Sequence, residues 1–368
     1  MLKRQFYLII GLIAMLFNSV YQYSWNAFSP LIENTLHVRL QEVELAFSIF
    51  TIFSTFAQIF GGYLADMLSA RITAIMSSLM MSLGLILASL SPSILFFYVF
   101  WAVGSAGEGM LYGISSNLAI KWYEQNRRGF AVGLVSLGFG LGGALFNPFI
   151  LVFKDYRTPM LIIGLLALFI VVPLTTFVNY PEKSKLSGQS PLLLLKTIKW
   201  WLLYISYVFA IVPLVSVSSS LVILSQGFPR YAIVLGITLL PVASGIGRPF
   251  FGWLSDRIGR IKTVYIISFS SFIFSLLLLF IAPYSAIIVG LFGGSLISIY
   301  LSLVGDLFGS KFSTTNNAIL YTGKAVSGVL ASIFLAYLFT EVGRSYAIAF
   351  IYISPLLAIS FLYLASKA

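Results

Sequence analysis

The sequence predicts an all-α membrane protein of 12 transmembrane helices, arranged as two six-helix pseudo-symmetric halves with both termini cytoplasmic. Three observations carry this. The 368 residues are 59% hydrophobic and 9% charged, with no cysteine, whereas a soluble globular chain is about 45–50% apolar and about 25% charged. The apolar residues fall into runs near the roughly 20 needed to cross a bilayer as a helix. A five-residue pattern also recurs 190 positions apart, close to half the chain. The same composition excludes disorder and a disulfide-stapled secreted fold.

Between charge and turn clusters, the N-terminal half gives segments at Phe6–Leu31, Val43–Asp66, Ile72–Leu90, Ile94–Lys121, Gly129–Phe153 and Pro159–Val178. The C-terminal half gives Trp200–Leu224, Tyr231–Ser255, Thr263–Ile281, Ser285–Phe308, Thr314–Thr340 and Ser345–Ala365. None shows the alternating short runs of a transmembrane barrel. The first segment follows Lys3 and Arg4, but it is too long for a signal-peptide core and lacks a small-residue cleavage pattern, so it reads as the first helix. The longest polar connection, residues 179–199, holds Pro181, Gly188 and Pro191 with four lysines. This is a linker composition, and it separates a bundle over 1–178 from a bundle over 200–368.

The formal charge of +11 sorts as a topology signal. With the N-terminus inside, the cytoplasmic loops carry fifteen Lys and Arg against five acids, and the outer loops carry five against five. The basic excess marks one membrane face and forms no groove, so no nucleic-acid partner is expected. Arg248, Lys324 and Glu108 stand apart, because all three fall inside apolar segments.

The repeated pattern is Gly62-Tyr63-Leu64-Ala65-Asp66 at the end of the second segment and Gly252-Trp253-Leu254-Ser255-Asp256 at the end of the eighth. Glycine lets neighbouring helices approach closely, and an Asp at a helix end can pair with basic residues such as Arg257 and Arg260. Two parallel six-helix repeats joined by a basic linker describe a known transporter architecture, with its binding site between the halves near the midplane. The G-x-L-x-D elements resemble the loop motif of the major facilitator superfamily, and the second copy continues it as Asp256-Arg257-Ile258-Gly259-Arg260. The first copy departs from it: Met67-Leu68-Ser69-Ala70-Arg71 lacks the first basic residue and the glycine. The resemblance implies the major facilitator fold and secondary transport by alternating access, and it names no substrate.

The substrate must be read from polar groups at membrane depth, where ionisable residues are costly and mark function. At 1.5 Å per residue, Arg248 lies about 12 Å from the cytoplasmic end of its segment, Lys324 about 15 Å and Glu108 about 20 Å. In a core about 30 Å thick, all three fall near the middle. Arg offers a planar fork that matches a carboxylate, and Lys a compact charge, so the two cations suit an anionic substrate. The competing reading is a structural cluster neutralised by Glu108 or by helix-end carbonyls. Asn18, Gln22 and Asn26 recur every four residues on one stripe, with Tyr21, Tyr23 and Trp25 interleaved. Tyr112, Tyr300 and Tyr321 lie at depths from which a phenol can donate to a carboxylate. Ser216, Ser218, Ser219 and Ser220 either line a cavity or bond to backbone. Glycines crowd the fifth segment, and Gly245, Gly247, Pro249 and Gly252 surround Arg248, which marks close helix contacts.

Tyr21-Gln22-Tyr23-Ser24-Trp25, the stretch from Gly113 to Gly133 with Lys121-Trp122-Tyr123 and Arg127-Arg128-Gly129, and Tyr321-Thr322-Gly323-Lys324-Ala325 resemble the oxalate/formate antiporter family, a branch near the monocarboxylate porters. The resemblance implies that an Arg on the eighth helix and a Lys on the eleventh bind substrate carboxylates within an aromatic box. Here these are Arg248 and Lys324, with Gln22, Tyr23, Tyr112 and Tyr321 around them. The monocarboxylate porters carry a proton-coupling Asp one turn before that Arg, and this chain has Ser244 there. Glu108, on a stretch that is mostly small residues in the family, is the candidate to stand in for it.

Two cations alone suit a dianion such as oxalate. With an ionised Glu108 they total +1, which suits a monocarboxylate such as lactate, pyruvate or formate. A Glu108 that took up a proton in each cycle would couple transport to H⁺. The expectation is therefore a secondary active transporter of small carboxylates, with monocarboxylate–proton symport as the leading scheme. Anion exchange of the oxalate/formate type is the first alternative, and export of a non-acid solute or drug the second. A receptor is disfavoured by the short loops and the lack of any signalling domain, and an enzyme is disfavoured, since His37 is the single histidine and cysteine is absent. These residues form no metal cluster or Cys/His dyad. No cofactor is expected, and the chain reads as a monomer of a prokaryotic plasma membrane.

Overall fold

The computed structural model describes residues 2–38, 40–181 and 187–368. Arg39 and the linker lysines Lys183 and Lys185 lie outside the described residues, as does the side chain of Asn26. The helices are α1 (Leu2–Tyr23), α2 (Trp25–Leu36), α3 (Leu40–Leu64), α4 (Ala70–Ser89), α5 (Ile94–Trp122), α6 (Gln125–Ile150), α7 (Arg157–Thr175) and the single turn α8 (Pro191–Leu194). They continue as α9 (Ile198–Leu224), α10 (Arg230–Ile258), α11 (Arg260–Leu276), α12 (Leu278–Phe308), α13 (Ser313–Tyr321), α14 (Gly323–Val329), α15 (Leu335–Tyr337) and α16 (Arg344–Lys367).

Among the described residues, nine runs are long and apolar enough to cross a membrane. One of them, Leu45–Ser89, is 45 residues, about twice what one crossing needs. It is interrupted where α3 passes through a π-helical turn, Ala65–Ser69, and Ser69 takes extended backbone while its Oγ accepts from Ile72 N. The first expected segment is not one helix but two, broken at Ser24 between α1 and α2. The Asn147 amide repairs that break by donating to the Tyr23 carbonyl at 3.1 Å. The eleventh expected segment is likewise divided into α13, α14 and α15, with π-helical turns at Leu330–Phe334 and Leu338–Val342.

Contacts divide the chain into two compact units. The first comprises Met1–Tyr123, Val135–Gly188 and Ser310–Ala318, and the second Glu124–Leu134, Gln189–Gly309 and Ile319–Ala368. In the first, α3 and α4 pack on α5, α4 on α7, and α1 on α5 and α7. In the second, α10 and α11 pack on α12, α11 on α16, and α9 on α12 and α16. Helices at corresponding places in the two sequence halves thus choose corresponding partners, which is the structural form of the repeat. The core of the first unit is aromatic: Trp101 meets Tyr21 at 4.5 Å, and Trp25 and Phe97 at 5.4 Å. A Cβ on Gly84 would lie 2.3 Å from Gly104 Cα, so α4 and α5 touch backbone to backbone.

Candidate functional site

In the second unit, Arg248 stands in α10 and is 1% exposed. Its Nε donates to the Ser244 carbonyl one turn back, at 3.2 Å, which orients the guanidinium. The turn before Arg248 packs closely against α12. A Cβ on Gly247 would lie 2.4 Å from Leu291 O, and one on Gly294 of α12 would lie 2.1 Å from Ser244 Oγ. Lys324 is the second residue of α14, just past the break at Thr322. Thr322 Oγ1 donates to Ile319 O at 2.7 Å and lies 2.9 Å from Tyr204 Oη. Lys324 Nζ donates to Tyr321 Oη at 3.0 Å and sits 5.1 Å from that ring's centroid. The expected Tyr321 and Lys324 pair is thus brought together, across a helix break.

Tyr300 is not available as a substrate donor. Its Oη lies 2.5 Å from Ser206 Oγ, which donates to Ala358 O at 2.7 Å, so it ties α12 to α9 and α16. Of the α9 serines, Ser219 bonds the Ser216 and Ala331 carbonyls at 3.4 Å beside a kink at Ser220. The buried Ser216 and Ser218 hydroxyls meet no protein partner among the described residues.

In the first unit, α1, α3 and α5 converge on Glu108, which is 2% exposed. Ser54 Oγ donates to Glu108 Oε2 at 2.5 Å, and Asn18 Nδ2 donates to the Glu108 carbonyl at 3.2 Å. Gly109 makes the first contact possible, since a Cβ there would lie 1.9 Å from Ser54 O. Tyr21 is structural: its hydroxyl donates to Met81 O at 2.7 Å. Tyr112 and Tyr23 both pack edge-on against Phe139, at 5.3 and 5.4 Å. The aromatic group expected from Tyr23 and Tyr112 therefore includes a residue that sequence reasoning missed. Gln22 adjoins Tyr23 at the broken end of α1.

The two G-x-L-x-D ends are built sites as well. Asp66 Oδ1 accepts from Thr314 Oγ1 at 2.7 Å, and its Oδ2 accepts from Thr315 N at 2.9 Å and Thr315 Oγ1 at 3.0 Å. These groups open α13, where a carboxylate is favoured by the unsatisfied N–H groups and the helix dipole. Lys121 Nζ pairs with Asp66 Oδ1 at 3.0 Å and also donates to Ser310 O and Lys311 O at 2.6 and 2.9 Å. Tyr180 lies under the ammonium, 4.8 Å from Nζ. Burial, and then the Asp66 carboxylate, hold the Tyr180 phenol well above its usual pKa. Gly62 clears the way, because a Cβ there would lie 2.9 Å from Thr314 O.

At the second end, Asp256 accepts from Gly129 N at 2.9 Å and Phe130 N at 2.8 Å, near the start of α6. Arg260 pairs with Asp256 and, through Nε at 3.0 Å, with Asp306, which also pairs with Arg128. Arg257 does not join them. Its guanidinium is exposed and stacks over Trp253 at 4.0 Å. A Cβ on Gly252 would lie 2.2 Å from Gly129 O. Lys121, Arg128 and Asp306, which the sequence counts only among the charges of the cytoplasmic side, are members of these clusters.

The model of the Major Facilitator Superfamily matches residues 8–286 and 237–367 of the chain. The uncharacterized 38 kDa protein in the 23S RNA operon of Thermoproteus tenax is 42% identical over 360 residues, covering 98% of this chain and 95% of its own. The oxalate:formate antiporter of Oxalobacter formigenes is 27% identical over 354 residues, covering 89% and 83%. Among solved structures, the fucose:proton symporter of E. coli superposes with a TM-score of 0.80 at 15% identity, covering 98% of both chains, a likeness of fold.

Proposed function

The chain belongs to the Major Facilitator Superfamily, a family of membrane transporters rather than enzymes, and within it we propose that this protein is a secondary transporter of small carboxylates. In this reading it crosses the membrane twelve times with both termini cytoplasmic, and works by alternating access as a monomer of a prokaryotic plasma membrane. The observation that carries the proposal is Arg248, a guanidinium 1% exposed in the middle of a membrane-spanning helix. Ionisable residues are rare at that depth and mark substrate or ion pathways, and the planar fork fits a carboxylate. Lys324, held against Tyr321, is the second anion-binding group, with Gln22, Tyr23 and Tyr112 lining the substrate.

Glu108, with its Ser54 donor, is the coupling group. In the leading scheme it takes up a proton and a monocarboxylate moves with H⁺. The likeness to an oxalate:formate antiporter over 89% of the chain favours the second scheme, in which one carboxylate exchanges for another. Proteoliposomes loaded and bathed with lactate, pyruvate, formate or oxalate test both. Truncating one partner of a buried charged contact costs about 2–5 kcal/mol, so Arg248→Ala is expected to cut transport by roughly 30-fold or more. Full transport by that variant overturns the anion site, and competition by drugs but not carboxylates would point to an exporter. Symport requires that an acid-outside gradient drive accumulation and that Glu108→Gln abolish that drive. Exchange requires an internal counter-anion and indifference to the gradient.

A further inference from the structure

A groove of about 460 Å³ lies between α11 and α16, lined by Tyr265, Ile359, Ser360, Tyr363 and Leu364. Its size is that of a small-molecule site, roughly 300–1,000 Å³. None of its residues belongs to the proposed transport site or to the two helix-end clusters. The two helices run antiparallel. Tyr265 stands near the start of α11 and Tyr363 near the end of α16, while farther along α11 and farther back along α16, Phe272 meets Tyr352 with ring centroids 6.0 Å apart.

One turn beyond each groove tyrosine, toward the same end of the helix pair, stands a lysine: Lys262 before Tyr265 and Lys367 after Tyr363. Both are exposed, and Lys367 Nζ lies 5.7 Å from the Tyr363 ring centroid, so this ammonium folds back over the groove wall. The groove therefore joins two chemistries. Ile359, Leu364 and the tyrosine ring faces form an apolar wall, with Leu364 50% exposed and Tyr363 54% exposed. The two lysines stand one turn beyond one end of the groove, and no lining residue is acidic.

The geometry points to a binding site for an anionic phospholipid, with an acyl chain along the apolar wall and the headgroup phosphate between Lys262 and Lys367. Long basic side chains lay their stems on apolar surface while the charge reaches the headgroup level, and basic pockets between transmembrane helices hold anionic headgroups. A zwitterionic lipid brings its own ammonium against the two lysines. Free phosphate meets only the charged end and gains nothing from the wall.

The test uses the full chain in an uncharged detergent, titrated separately with phosphatidylglycerol, phosphatidylcholine and inorganic phosphate. Unfolding midpoint and lipid retained in native mass spectrometry are the readouts. Phosphatidylglycerol is expected to stay bound one to one and raise the midpoint, while the other two do neither at equal concentration. Lys262→Gln with Lys367→Gln should keep the detergent midpoint and lose roughly 30-fold in apparent lipid affinity, as two juxtamembrane lysines imply. Leu364→Trp, which fills the groove and keeps both lysines, should displace the lipid as well. Equal shifts with both lipids, a full shift with phosphate alone, or unchanged retention by the double variant would each overturn the site. No transport substrate enters the experiment, so its outcome is independent of the carboxylate reading.

Discussion

At the first G-x-L-x-D end, Asp66 receives two hydroxyls and one backbone N–H from the start of α13, and its counter-charge is Lys121 on α5. At the second, Asp256 receives two backbone N–H groups of α6, and its counter-charge is Arg260, four residues along its own chain. Arg260 is shared with Asp306, and Asp306 with Arg128. The C-terminal turns of α5 and α12, equivalent in the repeat, therefore carry opposite charges, Lys121 and Asp306. The first copy has Ala70 at the place of Arg260, and its counter-charge comes from a different helix. What both copies keep is a carboxylate on the donors of an incoming helix start, and a glycine that lets that helix approach. The source of the counter-charge is free to vary. The first end concentrates its charge in one pair, 1% and 0% exposed, while the second spreads it over four groups.

That contrast can be broken most forcefully at Asp66. Removing one partner of a buried ion pair costs about 3–5 kcal/mol, so Asp66→Ala should remove the Lys121 counter-charge and lower the unfolding midpoint by several degrees. Asp256→Ala should cost less, because Arg260 retains Asp306. Equal losses would show that the network gives no redundancy. The glycines sharpen the comparison in the other direction. Overpacking costs about 1–3 kcal/mol, and Gly252→Ala, with its Cβ 2.2 Å from Gly129 O, should exceed Gly62→Ala, at 2.9 Å from Thr314 O. Thermal unfolding of both variants in one detergent measures this, and the reverse order would refute the close-approach account. The smallest expected effect is at Arg257, which is exposed and stacked on Trp253. Arg257→Gln should stay within about 0.5 kcal/mol of the parent, with Arg260→Gln clearly worse.

Much of the fold was legible because the bilayer imposes a simple rule: long apolar runs with few charges inside them. Arg248, Lys324 and Glu108 stood out for that reason, and the second G-x-L-x-D copy announced the repeat. The breaks at Ser24 and Thr322 were not legible, since an apolar run reads the same whether its helix is continuous or interrupted. Tertiary partners stand at both, Asn147 donating to the Tyr23 carbonyl and Tyr204 beside Thr322. Lys121, Arg128 and Asp306 were hidden for a related reason. A charge at a helix end looks like a loop charge until the opposite charge is folded against it. Tyr300 shows the converse: a phenol at a suitable depth was already committed to Ser206.

The chain is also made in one direction, and the two carboxylates meet their partners at different times. The backbone donors of Asp256 lie 127 and 126 residues before it, so they already exist when it is synthesised. Asp66 comes 249 residues ahead of Thr315, an interval of roughly 12–50 s at about 5–20 residues per second. Lys121 is made much sooner. From then until Thr315 is made, Lys121 is the only one of these Asp66 partners that exists, so the ion pair can form before the helix cap does.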